Sequence, residues 1–186
     1  MPSLAHGAAV TATPLWRGLA LTLCGAALIT LGAKIQIPFW PVPMTLHTLA
    51  VFLTAAALGP RLGLAAMTAY LGAGALGLPV FSGSPERGIG LAYMVGPTGG
   101  YLLGYWLAAG LIGALAHRRK WVGQTLAMLA GLAVVYAAGL AWLANFVPAR
   151  DLLAAGFTPF VLGDLVKIAL ACLLLSGARR WTGVAQ

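Results

Sequence analysis

Acidic residues are almost missing from this chain. Glu86, Asp151 and Asp164 are the only three carboxylates among 186 residues. Intramembrane aspartyl proteolysis needs two carboxylates sharing a proton in one site. Glu86 and Asp151 both fall in loop-like stretches, so Asp164 has no second acid beside it in an apolar segment. Cysteine is equally scarce: Cys24 and Cys172 lie inside apolar runs without metal-ligand spacing, and read as packing or lipid-facing thiols. No G-x-x-x-x-G-K-[ST] phosphate loop occurs, which rules out ATP hydrolysis by that route on this chain alone. No serine–histidine arrangement suggests a nucleophile. An enzyme is therefore not expected.

Charge of either sign is sparse as well. Only 8% of residues are charged, against about 25% in a soluble domain. What is there instead is apolar: 61% hydrophobic residues and a mean hydropathy of +0.93. These values describe an integral membrane protein. The net charge of +8 comes from basic residues scattered at segment ends, a pattern that sets topology and not one that grips nucleic acid. The N-terminus does not read as a cleaved signal, because no basic residue precedes Arg17 and the apolar run ends at Lys34 without a cleavage site.

At roughly 20 residues per span plus loops, the length suits six transmembrane helices in one all-α membrane domain. They are placed at 16–32, 45–58, 62–76, 97–116, 124–143 and 160–175. Small residues at Gly18, Thr22, Ala26 and Thr30 give the first span a flat face, for packing in the bundle or for docking a partner helix. Gly59-Pro60-Arg61 separates the second span from the third by a tight turn. Gly96, Gly100, Gly104 and Ala108 form a second small-residue face in the fourth span. No internal repeat is evident.

The charged exception to the apolar pattern is Gly163-Asp164-Leu165-Val166-Lys167, within the sixth span. Residues three apart share a helix face. A charge at bilayer depth costs about 2.5–3.5 kcal/mol on insertion scales, so such residues usually pair or serve a function. Asp164 accepts hydrogen bonds and Lys167 donates them. Either the pair neutralises itself, or it grips a small molecule carrying N–H groups at one end and an anion at the other.

Other candidates lie in loops. Ile37-Pro38-Phe39-Trp40-Pro41-Val42-Pro43 is stiffened by three prolines, and Trp40 suits either an interfacial belt or a lid. Phe81, Ser82 and Arg87 belong to the longest polar stretch, where contact residues concentrate. Gly96-Pro97-Thr98-Gly99-Gly100-Tyr101 opens the fourth span, and its backbone N–H groups suit an anion. His47, in the first turn of the second span, reads as a structural residue or a contact. On alternate loops, Arg17, Arg61, Arg118, Arg119, Lys120, Arg179 and Arg180 oppose Lys34, Arg87 and Arg150. Seven against three places both termini in the cytoplasm. All the candidate contact groups then face outward, which suits capture of an external solute.

Taken together, Ile37-Pro38-Phe39-Trp40-Pro41-Val42-Pro43-Met44-Thr45-Leu46, Gly77-Leu78-Pro79-Val80-Phe81, Gly96-Pro97-Thr98-Gly99-Gly100-Tyr101-Leu102 and Gly163-Asp164-Leu165-Val166-Lys167 resemble the BioY family. The resemblance runs in order over roughly Leu31 to Leu175, and the GPTGGY stretch is its most specific part. It implies the six-helix S-component fold, in the cytoplasmic (inner) membrane, with a biotin pocket facing outward. It implies substrate contacts from Asp164 and Lys167, helped by Phe81, Ser82, Arg87, Gly99, Gly100, Tyr101 and Trp40. It also implies a transmembrane T component and ATPase subunits as partners, which agrees with the missing phosphate loop, and no cofactor. The chain departs from the family where His47 replaces a frequent glutamine, in lacking the paired alanines of the helix-one docking face, and in the Ser84-Pro85-Glu86-Arg87 insert. The chemistry of biotin suits these residues: a ureido N–H pair for an acid, a carboxylate tail for a cation, an apolar ring for aromatic walls. A stand-alone transporter working without ATPase partners is the competing class.

Overall fold

The computed structural model describes residues 14–37 and 41–181. In chain order the elements are α1 (Leu15–Lys34), a two-residue ladder of β1 (Gln36–Ile37) with β2 (Met44–Thr45), α2 (His47–Ala75) and a short α3 (Gly90–Met94). They continue as α4 (Gly99–Ala116), α5 (Trp121–Leu143), a 3-10 turn at Ala149–Asp151, α6 (Leu152–Gly156) and α7 (Thr158–Trp181). Five helical stretches among the described residues are long and apolar enough to cross a membrane: α1, α2, α4, α5 and the run Ala149–Arg179 that includes most of α7. α5 begins at Trp121, ahead of the expected 124, because Trp121 and Val122 continue its apolar run; α7 extends past 175, since Ser176 and Gly177 do not break it.

The stretch assigned to α2 is not a single rod. Gly59 has φ 80° and ψ −177°, a backbone region open essentially to glycine alone. Pro60 follows, with no N–H and a φ suited to a first helical position. The chain reverses there. A Cβ on Gly63 would lie 2.8 Å from Ala55 Cα, yet eight residues of straight helix span about 12 Å. His47 and Tyr70, near opposite ends of α2, have ring centroids 5.1 Å apart. α2 is thus a helical hairpin of 47–58 and 60–75, turned where Gly59-Pro60-Arg61 stands in the sequence.

Glycines let the helices close on one another. Gly18, Gly25 and Gly32 of α1 face α2, where added Cβ atoms would meet Leu62, Ala66 and Ala50. The seven-residue spacing carries this contact; Thr22, Ala26 and Thr30, expected to form the flat face, lie half-buried along its edge. On α4, Gly100 packs against Trp142 and Ala138, and Gly104 against Val135, of α5. Side chains pointing away from the bundle are apolar, among them Leu23, Leu107, Leu126, Leu162 and Leu173, as a lipid-facing surface requires.

The helices divide the loops between two ends. At one, the His117 ring lies 3.2 Å from where a Gly59 Cβ would stand, Gly113 packs on Pro60, and Arg179 donates to the Arg119 carbonyl at 2.6 Å. At the other, Lys34 Nζ donates to Ser84 O and Oγ at 2.8 and 3.0 Å, and Tyr101 Oη donates to Gly156 O at 2.8 Å. Residues 35–37, 41–46, 76–98 and 144–157 therefore gather at the second end, where the cavity lies.

Candidate functional site

Two turns into α7, Asp164 turns inward and is 5% exposed. Its Oδ1 accepts from Lys167 Nζ at 2.8 Å and its Oδ2 accepts from Tyr136 Oη at 2.7 Å. The two charges are therefore paired, as mutual neutralisation requires. They also line a cavity, as a binding role requires. The cavity encloses about 590 Å³ of empty space counting its mouth.

The cavity is walled by tyrosine. All five tyrosines of the chain, Tyr70, Tyr93, Tyr101, Tyr105 and Tyr136, line it. Each supplies an apolar ring with a polar tip. Tyr101 and Tyr105 stand four residues apart on α4 and share a face. Tyr105 Oη and Thr48 Oγ1 are 2.6 Å apart. Burial holds the Tyr93 phenol above its ordinary range. At the loop end the cavity is closed in by Val42, Pro43 and Ser82. Those two loops are tied together: Ser82 Oγ donates to Gln36 Oε1 at 2.5 Å, Lys34 holds Ser84, and Arg87 donates to Pro41 O at 3.3 Å.

The expected site residues divide into groups. Asp164, Lys167, Tyr101 and Ser82 line the cavity together. Arg87 lines an adjoining groove with Pro41, Glu86 and Pro97, which shares Tyr93 and Thr98 with the cavity. Phe81 is fully buried behind the wall, stacked on Tyr93 at 4.7 Å and edge-on to Tyr70 at 5.5 Å, so it braces the lining without forming it. Gly99 and Gly100 are not among the lining residues; a Cβ on Gly99 would meet Met94 O and one on Gly100 would meet Trp142, so both allow close packing. The lining at this helix start comes instead from Thr98, Tyr101 and Leu102. Trp40 lies outside the described residues.

Sequence reasoning passed over Tyr70, Tyr105 and Tyr136 as cavity residues. The available signal was five phenols in so apolar a chain, since a buried phenol needs a partner. His47 also lines the cavity. Its position follows from Thr45, whose Oγ1 accepts the His47 N–H at 3.2 Å in the first turn of α2.

Comparison with known proteins bears on this architecture. A biotin transporter BioY from Thermotoga maritima is 45% identical over 150 residues, covering 80% of this chain and 87% of that protein. One from Rhizobium etli is 37% identical over 172 residues, covering 85% and 90%. Both are named as transporters, not enzymes. A crystal structure of the S-component for biotin from an ECF-type ABC transporter superposes with a TM-score of 0.78 at 27% identity, over 91% of this chain and 95% of that one. The BioY family model matches residues 5–183. With nearly its whole length matched, this chain is a member of the BioY family.

Proposed function

We propose that this chain is the substrate-capture subunit for biotin in an energy-coupling factor transporter. The observation that carries the reading is the buried Asp164 carboxylate at the cavity wall, held by Tyr136 and Lys167. An ionised carboxylate has about four acceptor sites, and the protein occupies one on each oxygen. The remaining capacity suits the paired N–H donors of a ureido ring, and charge-assisted bonds of this kind are worth about 1.5–3 kcal/mol each. The tyrosine walls suit the thioether ring. Asp164 lies six residues beyond Thr158, about 9 Å along α7, so the bicyclic end binds deep. The carboxylate tail stays near the mouth, where burial costs least and where the Arg87 groove adjoins through Tyr93 and Thr98.

In this reading the two halves of α2 each span the membrane, giving six spans with both termini in the cytoplasm. The halves are 12 and 16 residues long (47–58 and 60–75), about 18 and 24 Å. Bilayers accommodate such short spans by local thinning. The orientation rests on the excess of arginine and lysine at the Gly59 end. The membrane is the cytoplasmic one. Energy in this reading comes from ATP hydrolysis in partner ATPase subunits, coupled through a T component.

The test is mass spectrometry of small molecules released from protein purified in detergent. Biotin is expected from the wild-type chain and at least tenfold less from Asp164→Asn. Recovery of a different solute, or equal biotin from both, contradicts the assignment. Uptake in cells without the coupling subunits would favour a stand-alone transporter.

A further inference from the structure

The longest run of like charge in the chain lies far from the cavity, in the loop joining α4 to α5. Arg118, Arg119 and Lys120 are consecutive there, and all three are exposed. His117 before them turns inward instead, with Nδ1 3.4 Å from Ala56 O. Arg118 turns the chain in the left-handed region at φ 62°, the one non-glycine residue to do so among the described residues. Arg179 joins the group from α7, donating from Nη1 to Arg119 O at 2.6 Å. The Arg119 stem lies along α5, its Cβ, Cγ and Cδ 3.1, 3.5 and 3.7 Å from where a Gly123 Cβ would stand. Three helices thus bring four cations to one place.

No side-chain carboxylate balances them. The chain has three such groups. Glu86 lines the groove beside Arg87, Asp151 pairs with Arg150 and Asp164 pairs with Lys167. The first two belong to loops at the opposite end. Asp164 lies fifteen residues before Arg179 on α7, about 22 Å away. Like charges gathered without a counter-charge repel one another, and their summed field attracts anions.

The depth of the cluster says which anion. α4 ends at Ala116 and α5 begins at Trp121, and both helices are long and apolar enough to cross a membrane. Residues 117–120 therefore lie at a bilayer surface whichever way the chain is oriented. Next to them in α5, Trp121 and Val122 are 65% and 51% exposed. An indole at this level suits the boundary between headgroups and acyl chains. Cations beside an exposed indole match the two parts of a phospholipid, its phosphate and the base of its acyl chains.

We infer that Arg118, Arg119, Lys120 and Arg179 bind the phosphate of an anionic phospholipid whose glycerol and upper acyl chain lie against Trp121. The site is separate from the cavity, and the inference holds whichever solute the cavity takes. Basic residues that merely orient a membrane protein act through their number on one side. A lipid site depends instead on which cations are removed.

The test is native mass spectrometry of the full-length protein in detergent, mixed with phosphatidylglycerol or with phosphatidylcholine. Wild-type protein is expected to retain one phosphatidylglycerol per chain and at least fivefold less phosphatidylcholine. Arg119→Gln/Lys120→Gln should lower phosphatidylglycerol retention fivefold or more. Lys120→Glu alone, a second cluster variant should the first not fold, should lower it threefold or more. Arg17→Gln/Arg61→Gln, which removes two exposed charges from the same end but outside the cluster, should lower it less than twofold. Added inorganic phosphate should leave retention within twofold, since it has no acyl chain to replace. Equal retention of the two lipids overturns the inference, as does equal loss in the cluster and control variants, or displacement by phosphate, which would assign the cluster to a free anion. A cluster variant that keeps its lipid but no longer assembles with coupling subunits overturns it too, and would assign the cluster to an acidic protein surface.

Discussion

A carboxylate and an ammonium 2.8 Å apart inside a membrane protein support two accounts, and stability alone separates them from their neighbours only in part. Asp164 and Lys167 are mostly buried, with side chains 7% and 16% exposed. Truncating one member of such a pair leaves the other charge uncompensated, typically at about 3–5 kcal/mol, whereas replacing both by neutral groups of similar size is often close to neutral. Lys167→Met is therefore expected to lower the melting temperature of the purified protein sharply. Adding Asp164→Asn should restore most of it. A Lys167→Met variant as stable as wild type would show that Tyr136 and solvent suffice for Asp164, and that the lysine has no structural part.

Among the elements, α2 depends most on a single backbone position. The reversal at Gly59 uses a φ of 80° with ψ near 180°, and the His117 ring occupies the space a side chain would need. Gly59→Ala should cost about 1–3 kcal/mol from the backbone alone, seen as a lower melting temperature, with ligand affinity nearly unchanged in the protein that remains folded. Wild-type stability would mean the hairpin turns some other way. This turn was readable in advance because glycine before proline can hardly mean anything else in an apolar run. So was the acid in α7, since a lone carboxylate there has few excuses. The cavity wall was not. A tyrosine in an apolar segment reads as core or interfacial belt, and which of the two depends on neighbours brought from other helices. Gly99 and Gly100 were ambiguous for the opposite reason: bare backbone suits a ligand and a tight helix contact equally, and the structure shows the contact, with Met94 O and Trp142 where side chains would stand. His47 was visible as a polar residue at the start of a span; that Tyr70 and Tyr105 close over its ring was not.

For the molecule as a whole, the same features concentrate at one end. Residues 34–37 and 41–46 are tied to the loop 76–98 through Lys34, Gln36 and Arg87 above the cavity. The opposite end holds Gly59 packed on His117, the basic loop 117–120 and the end of α7. In the proposed reading a chain built this way captures its solute, and partner subunits supply the energy for release. Membership of the BioY family and the match to a biotin S-component support the capture of biotin in that reading. The most direct measurement is calorimetric titration of biotin into the doubly neutralised variant Asp164→Asn/Lys167→Met, chosen because its fold is expected to survive. If the pair clasps the ligand, the variant melts near wild type yet its Kd for biotin is raised at least a hundredfold. If the two side chains serve only to cancel each other, the variant binds biotin as tightly as the wild-type protein does.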